Sequence, residues 1–499
     1  MMPSVVLVHG YSETSLAAYQ HFPELLNQSG YDAVVLSAFD SLDDFVTIDD
    51  LALAFEMRVA DLEATGFDVT TAAFVCHSTG ALVTRRWILN RRDAAATPSA
   101  AALPGRLITM AGANHGSSLA EIGKTPIGYL QKLLSKHVLA VGKQVLTDLD
   151  YGSDFLWSLN DEWMDAWNDA TYPLASQVLA FSLGGDFIGN DAAMKLFWAT
   201  SEDGSDNTVR ISGANLNYAF LEADPDADPP TICKRVLARP VPHKILKGYS
   251  HFDTDTGILH ATDVTDAAFA ALLTALQTTA ADYDALAQTW ATENAAWAVG
   301  NDQNVDSTVV FSLRDQVGRP IGDCMIAFWD EADIPGDPRD VTLAPTRPAA
   351  ASCPPPAAET PEERATREAV VNASLSVSPA IISNSPIHND VAVGSYSFYL
   401  NYPNWIGPGG TNQHAVYIEA VSDSQYIEYK PTIYRPSVDV NRLIQPNQFT
   451  YVSVTLNRDP DNEYALYTWA PALDPTARAA AVWRPFPTLP YDVPRRPGT

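Results

Sequence analysis

The first part of the chain, up to about residue 260, alternates short apolar runs with stretches of helical periodicity. Runs such as SVVLVHG, YDAVVLS and TAAFVCHS are rich in β-branched residues and are typical of buried strands. Apolar residues recur at helical spacing between these runs, and two of the predicted helices end at Gly30 and Gly66. Strands that alternate with helices form a mostly parallel sheet covered on both faces. The sequence therefore predicts an α/β fold whose functional groups lie at the carboxyl ends of the strands.

The chain divides into two predicted domains, over residues 1–300 and 305–499. In the first domain, an insertion over about 116–175 separates the fourth predicted strand from the fifth, where a loop of about 2–6 residues is usual. We interpret this insertion as a helical lid. In the second domain, strand patterns alternate without helices between them, which predicts an antiparallel β-sandwich-like fold. A Pro-rich stretch over about 343–368 is interpreted as a flexible excursion.

Charge narrows the classes of partner that this chain can bind. The formal net charge is −29, from 60 acidic and 31 basic residues. Nucleic-acid binding needs a basic surface, so we expect no nucleic-acid partner. The same charge argues against general attraction to anionic membranes, so any membrane contact has to be apolar or locally basic.

The cysteines and the N-terminus carry no recognisable binding or targeting motif. Four cysteines fit no zinc spacing, redox motif or disulfide framework, which predicts free thiols: Cys76, Cys233, Cys324 and Cys353. The chain has no apolar run of about 18 or more residues, and it starts without a basic region. We therefore expect no metal or organic cofactor, no signal peptide or transmembrane helix, and a cytoplasmic or peripherally membrane-associated protein.

The stretch CHSTG, residues 76–80, lies between a predicted strand and a predicted helix. This is the setting of a nucleophile elbow, Gly-x-Ser-x-Gly, in which a sharp turn exposes the serine hydroxyl. The residues two before and two after the serine must be small because the turn brings backbone segments together. Gly80 fits this pattern, and Cys76, which is also small, replaces the first glycine. We therefore predict that Ser78 is a nucleophile and not an ordinary turn residue.

A serine nucleophile of this kind works with an oxyanion hole made of two backbone N–H groups. One group comes from the residue after the serine, which is Thr79. The other comes from the loop after the first strand, HGYS, in which Tyr11 is the predicted donor. His9, in the same loop, is interpreted as holding the loop by a hydrogen bond and not as a catalytic group.

A catalytic acid is expected after the fifth predicted strand, where three residues are candidates: Asp186, Asp203 and Asp206. Asp206 is favoured because EDGSDNTVRISG is a polar loop that enters an apolar run. Asp186 lies beside glycine, which is typical of a turn aspartate.

The general base is expected after the last strand of the first domain, where His243 and His251 are candidates. His243 precedes the strand and would lie at the opposite edge from Ser78, so His251 is preferred. His115, in AGANHGSS, is predicted to line the pocket or to brace its loop. The resulting order Ser, Asp, His along the chain is that of the α/β-hydrolases.

Five motifs together resemble the PlaB-type bacterial phospholipases A/lysophospholipases: VVLVHGYSETS, HSTGALV, ANHGSSLAEIG, SDNTVRISGANLNY and YSHFDTDTGI. The resemblance implies an α/β-hydrolase domain with an accessory C-terminal domain of β-strands. It places the catalytic residues of the family on Ser78, Asp206 and His251, while Cys76 stands where the family has threonine. It also implies hydrolysis of fatty acyl esters in glycerophospholipids and lysophospholipids, peripheral membrane attachment, and homo-oligomers, either dimers or tetramers.

Residues 122–147 carry lysines and no acidic residue, in a strongly acidic chain. Lys132, Lys136 and Lys143 share one predicted helical face and apolar residues share another, a pattern that suits docking on a phospholipid surface. The alternative is a cap helix whose apolar face packs on the core. A headgroup boundary and the core are both open for the tryptophans that follow: Trp157, Trp163 and Trp167.

The sequence thus predicts a serine acyl-ester hydrolase acting on phospholipids. A general carboxylesterase or triacylglycerol lipase would use the same triad and is the nearest alternative. An alternative of another class is a lipid- or glycan-binding module on a degenerate hydrolase, which would require a broken triad.

Overall fold

The computed structural model describes residues 2–10, 19, 21–37, 39, 41, 43–117, 142–189, 204–224, 231–253, 255–300, 305–330, 387–388, 392–407, 414–420, 428–429, 432–434, 444–456 and 458–459. The strands are β1 (Ser4–Val8), β2 (Asp32–Leu36), β3 (Ala73–His77), β4 (Arg106–Met110), β5 (Leu179–Gly185), β6 (Tyr218–Asp224), β7 (Thr231–Val236), β8 (His243–Leu246), β9 (Asp306–Asp315), β10 (Cys324–Asp330), β11 (Ile387–His388), β12 (Ser395–Asn401), β13 (His414–Ala420), β14 (Glu428–Tyr429), β15 (Thr432–Tyr434), β16 (Phe449–Leu456) and β17 (Arg458–Asp459). The α-helices are α1 (Phe22–Gln28), α2 (Ile48–Glu63), α3 (Gly80–Ala94), α4 (Lys143–Leu149), α5 (Asp154–Trp167), α6 (Ile211–Ala214), α7 (Ala267–Gln277), α8 (Tyr283–Ala298) and α9 (Tyr402–Ile406).

Six strands form one sheet in the order β2-β1-β3-β4-β5-β8. Every neighbouring pair in this sheet is parallel. Strand β1 shows why the apolar runs form it, since all of its residues from Val5 to Val8 are buried, as a strand covered on both faces requires. The predicted α/β class is confirmed.

Helices cover both faces of this parallel sheet. Val6 and Val8 of β1 pack in the cluster that contains α2 and α3. Val5 and Leu7 pack in the opposite cluster, with residues of α1, α7 and α8. Because successive side chains of a strand point to opposite faces, one short apolar run supplies both hydrophobic layers.

A second sheet has the order β11-β12-β9-β16-β6-β7 and is mixed. The sequence predicts antiparallel strands here, but β16 pairs in parallel with both β9 and β6. These strands are far apart along the chain, so no hairpin turn dictates that they run in opposite directions. The antiparallel β6–β7 hairpin precedes residue 300 and nevertheless belongs to this second sheet.

A separate core lies between the second sheet and the small sheet β10-β13-β15. Residues of both sheets, such as Phe311 of β9 and Ile418 of β13, share this cluster. The aromatic side chains Phe398 and Trp405 are also buried in it. Alternating residues of these strands therefore build a core, as the period of two predicts.

The predicted lid is only partly visible, because 118–141 and the Pro-rich excursion at about 343–368 lie outside the described residues. The described part of the lid contains α4 and α5. Trp163 and Trp167 of α5 are buried, and Trp157 packs against Tyr451 of β16 at a centroid distance of 5.0 Å. Trp163 and Trp167 therefore belong to the core, and the partly buried Trp157 packs against it. No helix within the described ranges is long and apolar enough to cross a bilayer.

Candidate active site

Ser78 lies in the turn between β3 and α3, at the carboxyl end of a central strand of the parallel sheet. Its φ of 52° is in the left-handed region, where a residue with a side chain is strained. Gly80 makes this turn possible, because a Cβ atom there would overlap the carbonyl oxygen of His9 and lie 3.0 Å from that of Val8. The local geometry is that of a nucleophile elbow.

Cys76 occupies the position of the first glycine in the elbow pattern, and its side chain is fully buried. It packs in the core cluster beside α2 and α3, and its Sγ is 3.2 Å from Thr84 Oγ1. Burial raises the pKa of the Cys76 thiol to about 12, so the thiol is neutral at pH 7. Cys76 therefore acts as a small core residue and not as a competing nucleophile.

Asp206 and His251 are in direct contact. His251 Nδ1 and Asp206 Oδ2 are 2.9 Å apart, and the backbone N–H of His251 donates to the carbonyl oxygen of Asp206 at 2.9 Å. The other carboxylate oxygen of Asp206 accepts the backbone N–H groups of Thr208 at 3.0 Å and Val209 at 2.7 Å. Both side chains are buried. The carboxylate is thus fixed in place, and it orients the imidazole with Nδ1 as the donor.

With Nδ1 as the donor, the second ring nitrogen of His251 is a hydrogen-bond acceptor. Nε2 is buried and has no hydrogen-bond partner among the described residues, so it accepts no hydrogen bond from the Ser78 hydroxyl in this conformation. The two residues are nevertheless neighbours through His77, whose ring centroid is 4.7 Å from that of His251. Hydrogen bonds of catalytic groups are often long before substrate binds. Burial, and then the nearby His251, lower the pKa of His77 well below its usual value, so His77 is neutral at pH 7.

Of the two predicted oxyanion donors, Thr79 lies within the described residues. Thr79 immediately follows Ser78, and α3 begins at the next residue. Its backbone N–H therefore lies at a helix N-terminus, where N–H groups have no intrahelical acceptor and the helix dipole favours negative charge. Tyr11 lies outside the described residues, so the second donor stays a prediction.

The other candidate acid and base have structural contacts of their own. Asp186 accepts hydrogen bonds from the backbone of Gly248 at 2.6 Å and from Trp297 Nε1 at 2.8 Å. His243 Nδ1 is 2.9 Å from Ser182 Oγ at the start of β8, and burial lowers its pKa to about 3. Asp203 lies outside the described residues.

His115 braces its loop, which is one of the two roles that the sequence left open. Its Nε2 donates to the carbonyl oxygen of Asn215 at 2.9 Å, and its Nδ1 is 3.1 Å from the Tyr451 hydroxyl. The ring also stacks on Phe449 with centroids 4.7 Å apart. His9 likewise holds its own loop, because its Nδ1 donates to the carbonyl oxygen of Gly10 at 2.9 Å.

Sequence reasoning missed Phe252, which directly follows His251. Its ring meets the imidazole of His251 edge-on at a centroid distance of 4.3 Å, and it also contacts His77. Phe252 is 46% exposed, whereas the residues that it touches are buried. It therefore forms an apolar border between the candidate base and solvent. The only signal in the sequence is its position next to a histidine.

The basic segment 122–147 is mostly outside the described residues, including Lys132 and Lys136. Lys143 begins α4, and its Nζ lies 3.3 Å from a carboxylate oxygen of Asp44. The docking helix therefore stays a prediction. Within the described ranges, no group of three or more acidic, histidine or cysteine side chains is arranged to hold a metal ion.

Comparison with known proteins identifies the fold. No protein-family model matches the chain, and no curated protein sequence matches it. The solved structure of phospholipase PlaB from Legionella pneumophila is 24% identical, with a TM-score of 0.69 over 92% of this chain and 94% of that one. Its complex with thio-NAD is 23% identical, with a TM-score of 0.68 over 91% of this chain and 93% of that one. The chain thus shares the fold of an α/β-hydrolase with a β-rich C-terminal part, along nearly its whole length.

Proposed function

We propose that this protein is a serine hydrolase that cleaves fatty acyl esters of glycerophospholipids and lysophospholipids. One observation carries the proposal: Asp206 holds the imidazole of His251 by Nδ1, which leaves Nε2 available beside a strained serine turn. An imidazole fixed in this way can accept a proton at Nε2 and share the resulting charge with the carboxylate. The choice of phospholipid esters is supported by the sequence motifs and by the fold shared with phospholipase PlaB.

In the proposed reaction, Ser78 Oγ attacks the ester carbonyl while His251 Nε2 takes the hydroxyl proton. The carbonyl oxygen becomes an oxyanion, held by the backbone N–H groups of Thr79 and Tyr11. Collapse of this intermediate breaks the ester bond, and His251 returns the proton to the leaving alcohol. Water then attacks the acyl-serine with His251 again as the base, which releases the fatty acid and restores Ser78.

The partners follow from the same proposal. The substrate is a phospholipid or lysophospholipid, and we propose that the segment 122–147 provides a peripheral membrane contact. The proposed assembly is a homo-oligomer, a dimer or a tetramer.

The deciding experiment combines covalent labelling with a lipid panel. Wild type and Ser78→Ala are treated with a fluorophosphonate probe and assayed on phosphatidylglycerol, lysophosphatidylcholine and p-nitrophenyl butyrate. Ser158→Ala is a matched control, because this exposed serine of α5 donates to Glu162 of its own helix and lies outside the elbow. We expect wild type and Ser158→Ala to be labelled and active, and Ser78→Ala to lose activity by a factor of about 10⁶.

Each alternative function has its own outcome in this experiment. Turnover of p-nitrophenyl butyrate without turnover of either lipid would identify a general carboxylesterase. A folded wild-type protein that is neither labelled nor active would favour the lipid- or glycan-binding module. Retained activity in a folded Ser78→Ala protein would show that another group is the nucleophile.

A further inference from the structure

An ion pair between Arg210 and Asp306 lies inside the protein, with side-chain exposures of 1% and 0%. Arg210 immediately precedes α6, whereas Asp306 is the first residue of β9 in the second sheet. The guanidinium carbon also lies 3.6 Å from the ring centroid of Tyr399 on β12. A buried ion pair loses much of its attraction to desolvation and is weak evidence for stability alone. Its position therefore points to another role.

Arg210 belongs to the same turn as the candidate acid. We define the acid loop as residues 204–211, which contain Asp206 and Arg210. The base of the loop is closed by an antiparallel bridge between Ser205 and Arg210 and by Ile211 N–H donating to a carbonyl at 2.9 Å. Inside the turn, the backbone N–H of Asp206 donates to the carbonyl oxygen of Val209 at 3.1 Å, so hydrogen bonds tie Asp206 to the residue next to Arg210. A displacement of Arg210 is therefore passed on to Asp206.

The acid loop is attached on two sides. Toward the second sheet, Arg210 of the loop pairs with Asp306, and Ser212 Oγ, in the helix directly after the loop, lies 2.7 Å from Thr308 Oγ1. Toward the first sheet, the carbonyl of Asp206 accepts the backbone N–H of His251. The loop thus lies between β9 and the candidate base.

We infer that Arg210 and Asp306 are positioning residues, which hold Asp206 in the orientation that His251 requires and so make the hydrolytic site depend on the second sheet. This inference rests on the proposed function. The geometry of the triad matters because a misplacement of about 1 Å lowers a rate by roughly 100-fold. A forked guanidinium between a carboxylate and an aromatic ring restricts both the position and the rotation of the loop.

The test separates positioning from simple charge balance. Asp306→Asn and Arg210→Gln each remove one charge of the pair and leave the other charge buried, whereas the double variant Arg210→Gln/Asp306→Asn removes both charges. We expect the double variant to fold and yet to hydrolyse p-nitrophenyl butyrate with kcat lowered about 10-fold to 100-fold and KM changed by less than about twofold. Labelling of Ser78 by the fluorophosphonate should slow by the same factor. Wild-type kcat in the double variant would overturn the inference.

A second measurement reports directly on the stability of the hydrogen bonds in the acid loop. Hydrogen exchange at the amides of Thr208 and Val209, which donate to Asp206, should accelerate in the double variant. If that variant does not fold, Arg210→Lys replaces it, since it keeps the charge but loses the fork and the ring contact. Lowered kcat with faster exchange is expected there as well, and wild-type values for both would refute the positioning role.

A second ion pair between β9 and the first part of the chain provides a matched control. Arg314 of β9 also pairs with Asp154 of α5, at 3.1 Å, but this pair is exposed and lies outside the acid loop. Asp154→Asn should leave kcat and amide exchange unchanged. The assay uses a soluble ester. A wild-type protein that hydrolyses this ester but no phospholipid would therefore contradict the proposed substrate without affecting the test of the Arg210–Asp306 pair. A wild-type protein without labelling or turnover would refute both.

Discussion

Gly80→Ala tests the elbow at its tightest point. The added methyl group would lie 3.0 Å from the carbonyl oxygen of Val8 and 3.2 Å from the carbonyl carbon of His9, with the His9 oxygen closer still. All these atoms are backbone, so no side-chain rotation relieves the overlap. Strand β1 is paired with β2 on one side and β3 on the other, and it therefore cannot withdraw without disturbing the sheet.

The expected magnitude follows from these contacts. Overpacking of a well-packed interior destabilises a protein by about 1–3 kcal/mol, and a clash with fixed backbone belongs at the upper end of that range. We therefore expect Gly80→Ala to lower the free energy of unfolding by about 3 kcal/mol. Relief of the overlap must move Ser78 relative to His251, so fluorophosphonate labelling should slow by at least about 10-fold.

The assay compares labelling rates and urea unfolding for wild type, Gly80→Ala and Gly213→Ala. Gly213 lies in α6, and a Cβ there would meet its nearest atom, Val209 Cγ1, at 3.4 Å. This contact is ordinary, so the control variant should keep the wild-type labelling rate and have an unfolding midpoint no lower than that of wild type. A folded Gly80→Ala protein with wild-type labelling and an unchanged midpoint would refute the proposed close approach of elbow and strand.

Two further predictions concern stability. Tyr451→Phe removes a hydroxyl that lies 2.7 Å from Asn160 Nδ2 and 3.1 Å from His115 Nδ1. We therefore expect the free energy of unfolding, measured with urea, to fall by about 1–3 kcal/mol. An unchanged unfolding midpoint would contradict the importance of this contact. Burial lowers the pKa of His243 to about 3, from about 6.5 in the unfolded chain. Between these two values only the unfolded chain binds the proton, so the free energy of unfolding falls as the pH is lowered from about 6.5 to about 3. His243→Asn should therefore weaken the decline of the unfolding free energy between pH 6 and 4 by about 1.4 kcal/mol per pH unit, and an identical slope would show that this histidine is not buried in its neutral form.

Local patterns were sufficient to predict the first sheet. The apolar runs ending in His9 and His77 are buried on both faces, and their alternation with helices leaves little choice but a parallel order. The elbow was predictable for the same reason, because its strand, turn and helix are contiguous in sequence. The pattern does not show whether Nε2 of His251 accepts a proton from Ser78, since that depends on a fraction of an ångström between distant segments.

The second sheet was less predictable because its pairings are long-range. Each strand in it alternates as a strand should, but nothing local states that β16 lies between β9 and β6 or runs parallel to both. The Arg210–Asp306 contact was invisible for the same reason, since the two residues are 96 positions apart and nothing in the motif that contains Arg210 points to Asp306. Trp163 was ambiguous because the same amphipathic pattern serves a core and a membrane surface, and its burial decides for the core.

The path of the chain explains why the second sheet is linked to the candidate site. The polypeptide leaves the first sheet at the end of β5, forms the acid loop and α6, and enters the second sheet at β6. The loop that carries Asp206 is therefore part of the covalent connection between the two sheets. Because β6 is paired with β16, and β16 with β9, the strand that carries Asp306 is fixed relative to the same connection. The chain crosses back to the first sheet between β7 and β8, but the acid loop is the crossing that carries the candidate acid, so a shift of the second sheet against the first would reach Asp206 through the Arg210–Asp306 pair.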